Sequence, residues 1–318
     1  MSLAERALVV LDTATAALPG GGEQRSGQRE MTQAVADAIE SDGHVAVQAG
    51  TGTGKSLAYL VPVVCSGRRT VIATATKALQ DQLAGKDLPF LAEQVDGGID
   101  FAVLKGRSNY LCLQRLDEAG ADDTLAIEVE GEPLSPATVE RLRTFAASSA
   151  TGDRAELDDI DDKTWRLVSV GRDECPGASR CPRGDDCLAE RARARAAAAD
   201  VLVVNLHLYA IDIVYDGIVL PEHDVVVIDE AHQLEDIVAQ AAGVQIGPGR
   251  FAAVARAAAA VLAEREATDG VEEAATLVHA RLEPLIGDRL QEGPDDELGS
   301  TLDVARGRVE RVLQALRA

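Results

Sequence analysis

The chain has 318 residues, 46% of them apolar, and a formal net charge of −22. This length suffices for two modest domains or for one large domain with insertions. The acidic balance argues against a protein that coats nucleic acid non-specifically, although it is compatible with a local basic channel. The chain has no run of about 18 apolar residues, so no membrane-spanning helix is predicted.

The first 40 residues predict two amphipathic helices. Residues 3–18 have helical spacing and end at Pro19 and three glycines, a pattern typical of a loop. The segment lacks the basic start and long apolar stretch of a signal peptide, so we expect a cytoplasmic protein with reduced thiols. Residues 23–40 predict the second helix, with Met31, Val35, Ala38 and Ile39 on one face.

A glycine-rich turn next in the chain indicates a phosphate-binding loop. Residues 45–48 predict a strand before it, and a helix is predicted to begin at Lys55. Glycines let backbone N–H groups close around phosphates, the lysine can reach the β- and γ-phosphates, and the serine hydroxyl can hold Mg²⁺. The first position of GxxxxGK(S/T) is an alanine here, which differs from the glycine of the strict pattern by one methyl group. The alternative interpretation is a flexible loop that happens to precede a lysine. The candidate ATP ligands are Ala49, Gly50, Thr51, Gly52, Thr53, Gly54, Lys55 and Ser56.

Alternating strands and helices predict an α/β fold with a doubly wound parallel sheet. The buried-strand segments are residues 68–76, 101–106, 200–208 and 223–232, and residues 77–91 predict a helix. We interpret the acidic stretch 109–200 as an insertion between two strands of one domain. Residues 1–108 and 201–242 are then the two parts of that domain. Residues 243–318 predict a mostly α-helical region, with helices at 251–265, 271–282 and 298–316.

The DEAH sequence at residues 229–232 follows a buried strand and predicts the second half of the nucleotide site. Ligands of open α/β sheets bind at the carboxyl ends of the strands. Asp229 is predicted to hold Mg²⁺ through water, and Glu230 to polarise the attacking water. Together with Lys55 they are the candidate catalytic residues. The alternative is an ordinary acidic helix start after a strand.

These motifs resemble those of the XPD-like iron–sulfur helicases of superfamily 2, and most closely the bacterial DinG-type group. Arg25 and Gln28 resemble the family's upstream adenine-recognition motif, which makes Gln28 a candidate adenine ligand. Residues 74–83 resemble a segment that touches the DNA backbone, and residues 105–112 and 203–208 resemble the borders of the metal-bearing insertion. The resemblance implies a RecA-like, ATP- and Mg²⁺-dependent DNA helicase that moves 5′ to 3′ in repair or replication. Its implied DNA partner is single-stranded or forked DNA, and we expect a monomer.

Four of the five cysteines lie in the insertion and predict a metal site: Cys112, Cys175, Cys181 and Cys187. Their spacing suits either a [4Fe–4S] cluster or a structural zinc ion, and the family resemblance favours [4Fe–4S]. Because the insertion is acidic and poor in apolar residues, we expect the metal to supply much of its stability. Cys65 is predicted to be a core thiol. The basic residues that follow the last cysteine are candidate phosphate contacts or a solvated helix face: Arg191, Arg193 and Arg195.

The sequence contains neither a second RecA-like block after DEAH nor an arginine-finger motif of the QxxGRxxR kind. The helical region 243–318 resembles the start of the family's arch domain. We therefore expect residues 1–318 to be a truncated helicase that binds nucleotide, hydrolyses it weakly or not at all, and does not unwind DNA alone. The competing hypothesis is a stand-alone ATP- and nucleic-acid-binding module with a structural zinc site and no motor activity.

Overall fold

The computed structural model describes residues 1–50, 52–120, 134–157, 159–172, 174–243, 247–259, 261–262, 265–287, 290 and 293–317. These residues divide into two compact units, one within residues 1–242 and one within residues 243–317. Of the predicted nucleotide ligands, Thr51 lies outside the described residues. No helix in the described ranges combines the length and the apolarity that crossing a bilayer requires.

The first unit is built on a four-stranded parallel sheet, as the alternating pattern predicts. The strands are β1 Thr70–Thr74, β2 Phe101–Val103, β3 Val201–Asn205 and β4 Val225–Ile228. Their order is β2-β3-β1-β4, with Thr70 opposite both Val201 and Val225. All four strands run in one direction, so their carboxyl ends meet at one edge of the sheet.

Helices cover both faces of this sheet. They are α1 Leu3–Ala17, α2 Ser26–Glu40, α3 Lys55–Ser66, α4 Lys77–Gln82, α5 Leu88–Ala92, α9 Leu188–Ala198, α10 Leu206–Val214 and α11 Leu234–Ala242. The insertion contributes α6 Leu113–Gly120, α7 Pro136–Ser148 and α8 Asp162–Leu167. Side chains alternate between the faces along each strand. Ile72 and Val203 therefore pack against α1 to α3, while Val71 and Leu202 pack against α9 and α10.

The strand predicted for residues 45–48 is absent, which corrects the sequence interpretation. The described residues 43–50 form neither helix nor strand, and Val45 and Val47 are 45% and 42% exposed. A strand is defined by a ladder of hydrogen bonds to a neighbour, and apolar periodicity alone cannot supply that neighbour. The phosphate loop is consequently anchored through α3 and α2 rather than through the sheet.

The insertion between β2 and β3 has a small apolar core of its own. The described core residues are Leu111, Leu116, Val139, Leu142, Ile160, Trp165, Val168 and Leu188. The Trp165 indole Nε1 donates a hydrogen bond to the Ser108 carbonyl at 2.8 Å. This bond satisfies the one polar atom of that side chain. Packing therefore contributes to holding the insertion, whether or not a metal binds.

A buried ion pair joins the insertion to the sheet. The Lys105 ammonium, just past β2, lies 2.7 Å from an Asp153 carboxylate oxygen, and the two side chains are 8% and 15% exposed. Asp153 also accepts a hydrogen bond from the Ala155 backbone N–H at 2.9 Å. A second carboxylate, that of Asp81 on α4, lies 3.6 Å from the same ammonium. Lys105 thus bridges the insertion and the helix that follows β1.

Replacing Lys105 with methionine is expected to lower the free energy of unfolding by about 3 kcal/mol, because it leaves the largely covered Asp153 carboxylate without its counter-charge. Urea unfolding followed by circular dichroism measures the change. The control is Arg141→Met, which breaks an exposed pair with Asp159 and should cost about 0–1 kcal/mol. Equal losses in the two variants would contradict a structural role for the buried pair.

The second unit is helical. It contains α12 Pro248–Ala259, α13 Glu266–Leu282 and α14 Asp296–Arg317. Their apolar faces share two small clusters around Val271 and Val278. Asp295 accepts a hydrogen bond from the Leu298 backbone N–H at 2.7 Å and so caps α14. The helical pattern predicted for this region is present in the described residues.

Candidate nucleotide site and cysteine pocket

The phosphate loop ends in two glycines with left-handed backbone. Gly52 and Gly54 have φ values of 79° and 82°, which residues with a Cβ rarely adopt. Gly54 precedes α3, and its carbonyl accepts the hydrogen bond of the Ala58 N–H at 3.2 Å. The Thr53 hydroxyl donates to the Gly50 carbonyl at 2.9 Å. Lys55 and Ser56 then occupy the first turn of α3, where the helix dipole favours an anion.

Two side chains of the α2 segment contact this loop. The Gln28 amide Nε2 donates to the Gly54 carbonyl at 3.0 Å, and the Arg25 guanidinium donates to the Gly52 carbonyl. Gln28 is buried, with its backbone carbonyl bonded to the Thr32 hydroxyl. The family resemblance made Gln28 the candidate adenine ligand and Arg25 part of the same motif, and the structure places both against the backbone of the phosphate loop.

Replacing Gly54 with alanine is expected to destabilise the first unit by about 1–2 kcal/mol, since a Cβ is strained in left-handed backbone. The added Cβ would also lie 2.3 Å from Gln28 Nε2, so the buried amide would have to leave the loop. Thermal or urea unfolding checks the value. Gly50→Ala is the matched control, because its Cβ would meet open space. Similar stabilities for the two variants would argue against the strain.

The DEAH residues lie at the carboxyl end of β4, beside α3. The Lys55 ammonium donates to Glu230 Oε1 at 3.0 Å, and this hydrogen bond lowers the pKa of Glu230. The Tyr59 hydroxyl donates to Asp229 Oδ2 at 3.1 Å. Burial and the Asp229 charge raise the pKa of Tyr59, so its hydroxyl stays protonated. The fold therefore brings together residues about 170 positions apart.

Tyr59 is a site residue that sequence reasoning missed. The candidate roles were drawn from the motif positions, and a tyrosine in an apolar helix reads as a core residue. One feature of the sequence could have identified Tyr59 as a site residue. It lies three positions after Ser56 and therefore on the same helical face. The placement of the carboxylate opposite that face depends on the tertiary structure.

Four cysteines of the insertion line one small pocket. Its walls include Cys112, Cys175, Cys181 and Cys187, and none of the five cysteines forms a disulfide. Burial raises the pKa of the Cys112 thiol, whereas a bound metal would favour the thiolate. Within the described ranges, no three His, Cys, Asp or Glu side chains are arranged to hold a metal ion. The thiols converge on a shared pocket without forming a compact single-ion site.

Arg107 lies at the wall of this cysteine pocket. Its guanidinium lies 4.0 Å from the Cys187 sulfur and also forms an ion pair with Glu190. Cys65 lies away from the pocket, half-buried against the core of α1 to α3, as its apolar surroundings predict. The pocket therefore groups the four insertion cysteines and leaves the fifth outside.

The three arginines of α9 differ in their surroundings. Arg195 forms an ion pair with Asp100 and donates to the Phe101 carbonyl at 3.1 Å, so it ties α9 to the start of β2. Arg191 is exposed and Arg193 is half-buried. Of the three candidates for phosphate contacts, Arg195 thus has a structural role within the fold.

The sequence of this chain is similar to those of known helicases. A family model described as DEAD/DEAH box helicase matches residues 29–120. The chain is 44% identical over 264 residues to the ATP-dependent helicase DinG of Mycobacterium tuberculosis, which covers 78% of this chain and 40% of that relative. It is 41% identical over 233 residues to the ATP-dependent DNA helicase YoaA of Escherichia coli, covering 70% and 35%. For the ATP-dependent DNA helicase DinG of Salmonella choleraesuis the identity is 32% over 234 residues, covering 67% and 32%. The chain therefore spans 40% or less of the length of these relatives.

Proposed function

This chain is a relative of the DinG-type ATP-dependent helicases, and we propose that it forms the ATP-binding front part of a DNA helicase. The observation that carries the proposal is the meeting of the phosphate-loop helix with the DEAH acids. Lys55 contacts Glu230, and the Tyr59 hydroxyl contacts Asp229, at the carboxyl edge of a parallel sheet. That edge is where open α/β sheets bind ligands.

Each residue of the site has a role that its position supports. Lys55 would bind the β- and γ-phosphates, which requires its ammonium to leave Glu230. Ser56 and Asp229 would hold Mg²⁺, since hydroxyl and carboxylate oxygens are the ligands that this ion prefers. Bound Mg²⁺ neutralises charge on the phosphate oxygens. Glu230, once released, would accept a proton from the attacking water.

The cysteine pocket supports a second part of the proposal. Four thiols around one pocket are the donor set of a [4Fe–4S] cluster, and Cys112, Cys175, Cys181 and Cys187 would hold it. We further propose single-stranded or forked DNA as the partner, movement in the 5′ to 3′ direction, and a monomer acting in the cytoplasm in repair or replication. Residues 243–317 would then begin an arch-like domain.

Nucleotide binding by purified residues 1–318 tests the proposal. Titration with a fluorescent ATP analogue, with and without Mg²⁺, is expected to show saturable, Mg²⁺-dependent binding that unlabelled ATP displaces. Hydrolysis is expected to be weak even with single-stranded DNA, and strand separation is expected to be absent. A chain that binds no ATP at any Mg²⁺ concentration would refute the nucleotide site. Measured unwinding by residues 1–318 would refute the restriction to a front part.

A further inference from the structure

A buried tyrosine links the helix of the phosphate loop to the first acid of DEAH. Tyr59 is 2% exposed, and Asp229 is also buried. The phenol hydroxyl donates to Asp229 Oδ2 at 3.1 Å. Two buried polar side chains from distant parts of the chain are thus paired, and each satisfies a hydrogen-bonding need of the other.

The backbone and the side chain of Asp229 are both fixed. Its N–H donates to the Ala73 carbonyl of β1 at 2.9 Å, which continues the parallel ladder past the end of β4. Its Oδ2 accepts the Tyr59 hydroxyl, while Oδ1 has no hydrogen-bond partner among the described residues. The tyrosine therefore selects which carboxylate oxygen is left for another ligand.

The same helix positions Tyr59 and Ser56. They are three residues apart on α3. Residues at this spacing lie on one helical face. Of the two residues to which the proposed function gives the Mg²⁺, Tyr59 thus contacts Asp229 and shares a helical face with Ser56. Groups that hydrogen-bond to metal ligands fix the orientation of those ligands, and their loss commonly weakens metal binding 10- to 100-fold.

We propose that Tyr59 is a positioning residue for Mg²⁺, one that holds the Asp229 carboxylate in register with Ser56 through its hydroxyl. This inference rests on the proposed function, because it assigns a role within the same site. A phenylalanine at this position keeps the ring and its packing but removes the donor. Asp229 could then rotate, and Mg²⁺ would meet a ligand that is no longer oriented.

The test is a Mg²⁺ titration of nucleotide binding by the whole chain. The binding of a fluorescent ATP analogue is measured at fixed nucleotide over increasing Mg²⁺, for the wild type and for Tyr59→Phe. We expect the Mg²⁺ concentration at half-maximal binding to rise about tenfold in the variant, with metal-free nucleotide affinity unchanged. Tyr209→Phe, the same change at a half-buried tyrosine of α10, should leave the midpoint at the wild-type value.

A double-substitution cycle shows whether the effect passes through the carboxylate. In an Asp229→Asn background, Tyr59→Phe should shift the Mg²⁺ midpoint no further. A folded Tyr59→Phe protein whose midpoint stays within twofold of the wild type would overturn the inference. So would a loss of nucleotide affinity that is equal with and without Mg²⁺, since that result indicates packing. If the wild type showed no Mg²⁺-dependent binding, the proposed function itself would fail and the inference with it.

Discussion

Replacing Lys55 with alanine is expected to weaken ATP binding about a thousandfold. The ammonium would contact both the β- and γ-phosphates, and two charge-assisted hydrogen bonds at about 2 kcal/mol each give about 4 kcal/mol. Wild-type binding must first break the Lys55–Glu230 pair, which is partly exposed. Such a pair contributes only about 0–1 kcal/mol, so it offsets little of the loss. Fluorescence titration with the ATP analogue measures the change.

Lys86→Ala is the matched control for this experiment. Lys86 is an exposed lysine within Leu83–Asp87, and its removal changes the net charge of the chain by the same amount. Its ATP affinity should stay within about twofold of the wild type, because Lys86 belongs to neither nucleotide motif and salt screens its exposed charge. Comparable losses in the two variants would attribute the Lys55 effect to overall charge and contradict a direct phosphate contact.

Replacing Cys112 with serine is expected to prevent the binding of the iron–sulfur cluster that we propose for the cysteine pocket. Four thiolates hold such a cube, and a hydroxyl is a much poorer iron ligand. Anaerobically purified wild type should be brown, with about four iron atoms per chain and absorbance near about 400–420 nm. The variant should lose most of both. Iron and zinc quantitation by mass spectrometry measures the outcome.

Cys65→Ser is the control, since Cys65 is half-buried away from the cysteine pocket. It should keep wild-type iron content, although a hydroxyl in an apolar core costs some stability. A colourless wild type with one zinc atom per chain would contradict the cluster and favour the structural zinc alternative. Equal iron loss in both variants would mean that the fold, rather than the pocket, determines metal content.

Local patterns predicted the segments of this fold well. The apolar runs that contain β1, β3 and β4 form strands of one parallel sheet, and the helix after the phosphate loop begins at Lys55. These features could be predicted because the periodicity of apolar residues and the turn chemistry act within about ten residues.

Other features depend on partners that local pattern cannot identify. Residues 45–48 have strand-like composition but no hydrogen-bonded strand partner among the residues that the structure describes. Strand pairing depends on which strand edge lies nearby in the folded chain. Residues from several segments of the insertion share one small core around Trp165, and their sequence separation gave no sign of that contact. The sequence indicates Lys105 only as part of the segment 105–112, which resembles a border of the insertion. Its ion pair with Asp153 depends on the tertiary structure.

The sequence by itself determined the chemistry available to this protein: a phosphate loop, two acids after a strand and four cysteines in one insertion. The tertiary structure alone decided which of these groups meet. Lys55 contacts Glu230, and Tyr59 contacts Asp229, because a parallel sheet brings the start of α3 to the carboxyl end of β4 across about 170 residues. The physical reason is that residue type sets what a side chain can bind, while contact between distant residues follows from long-range packing.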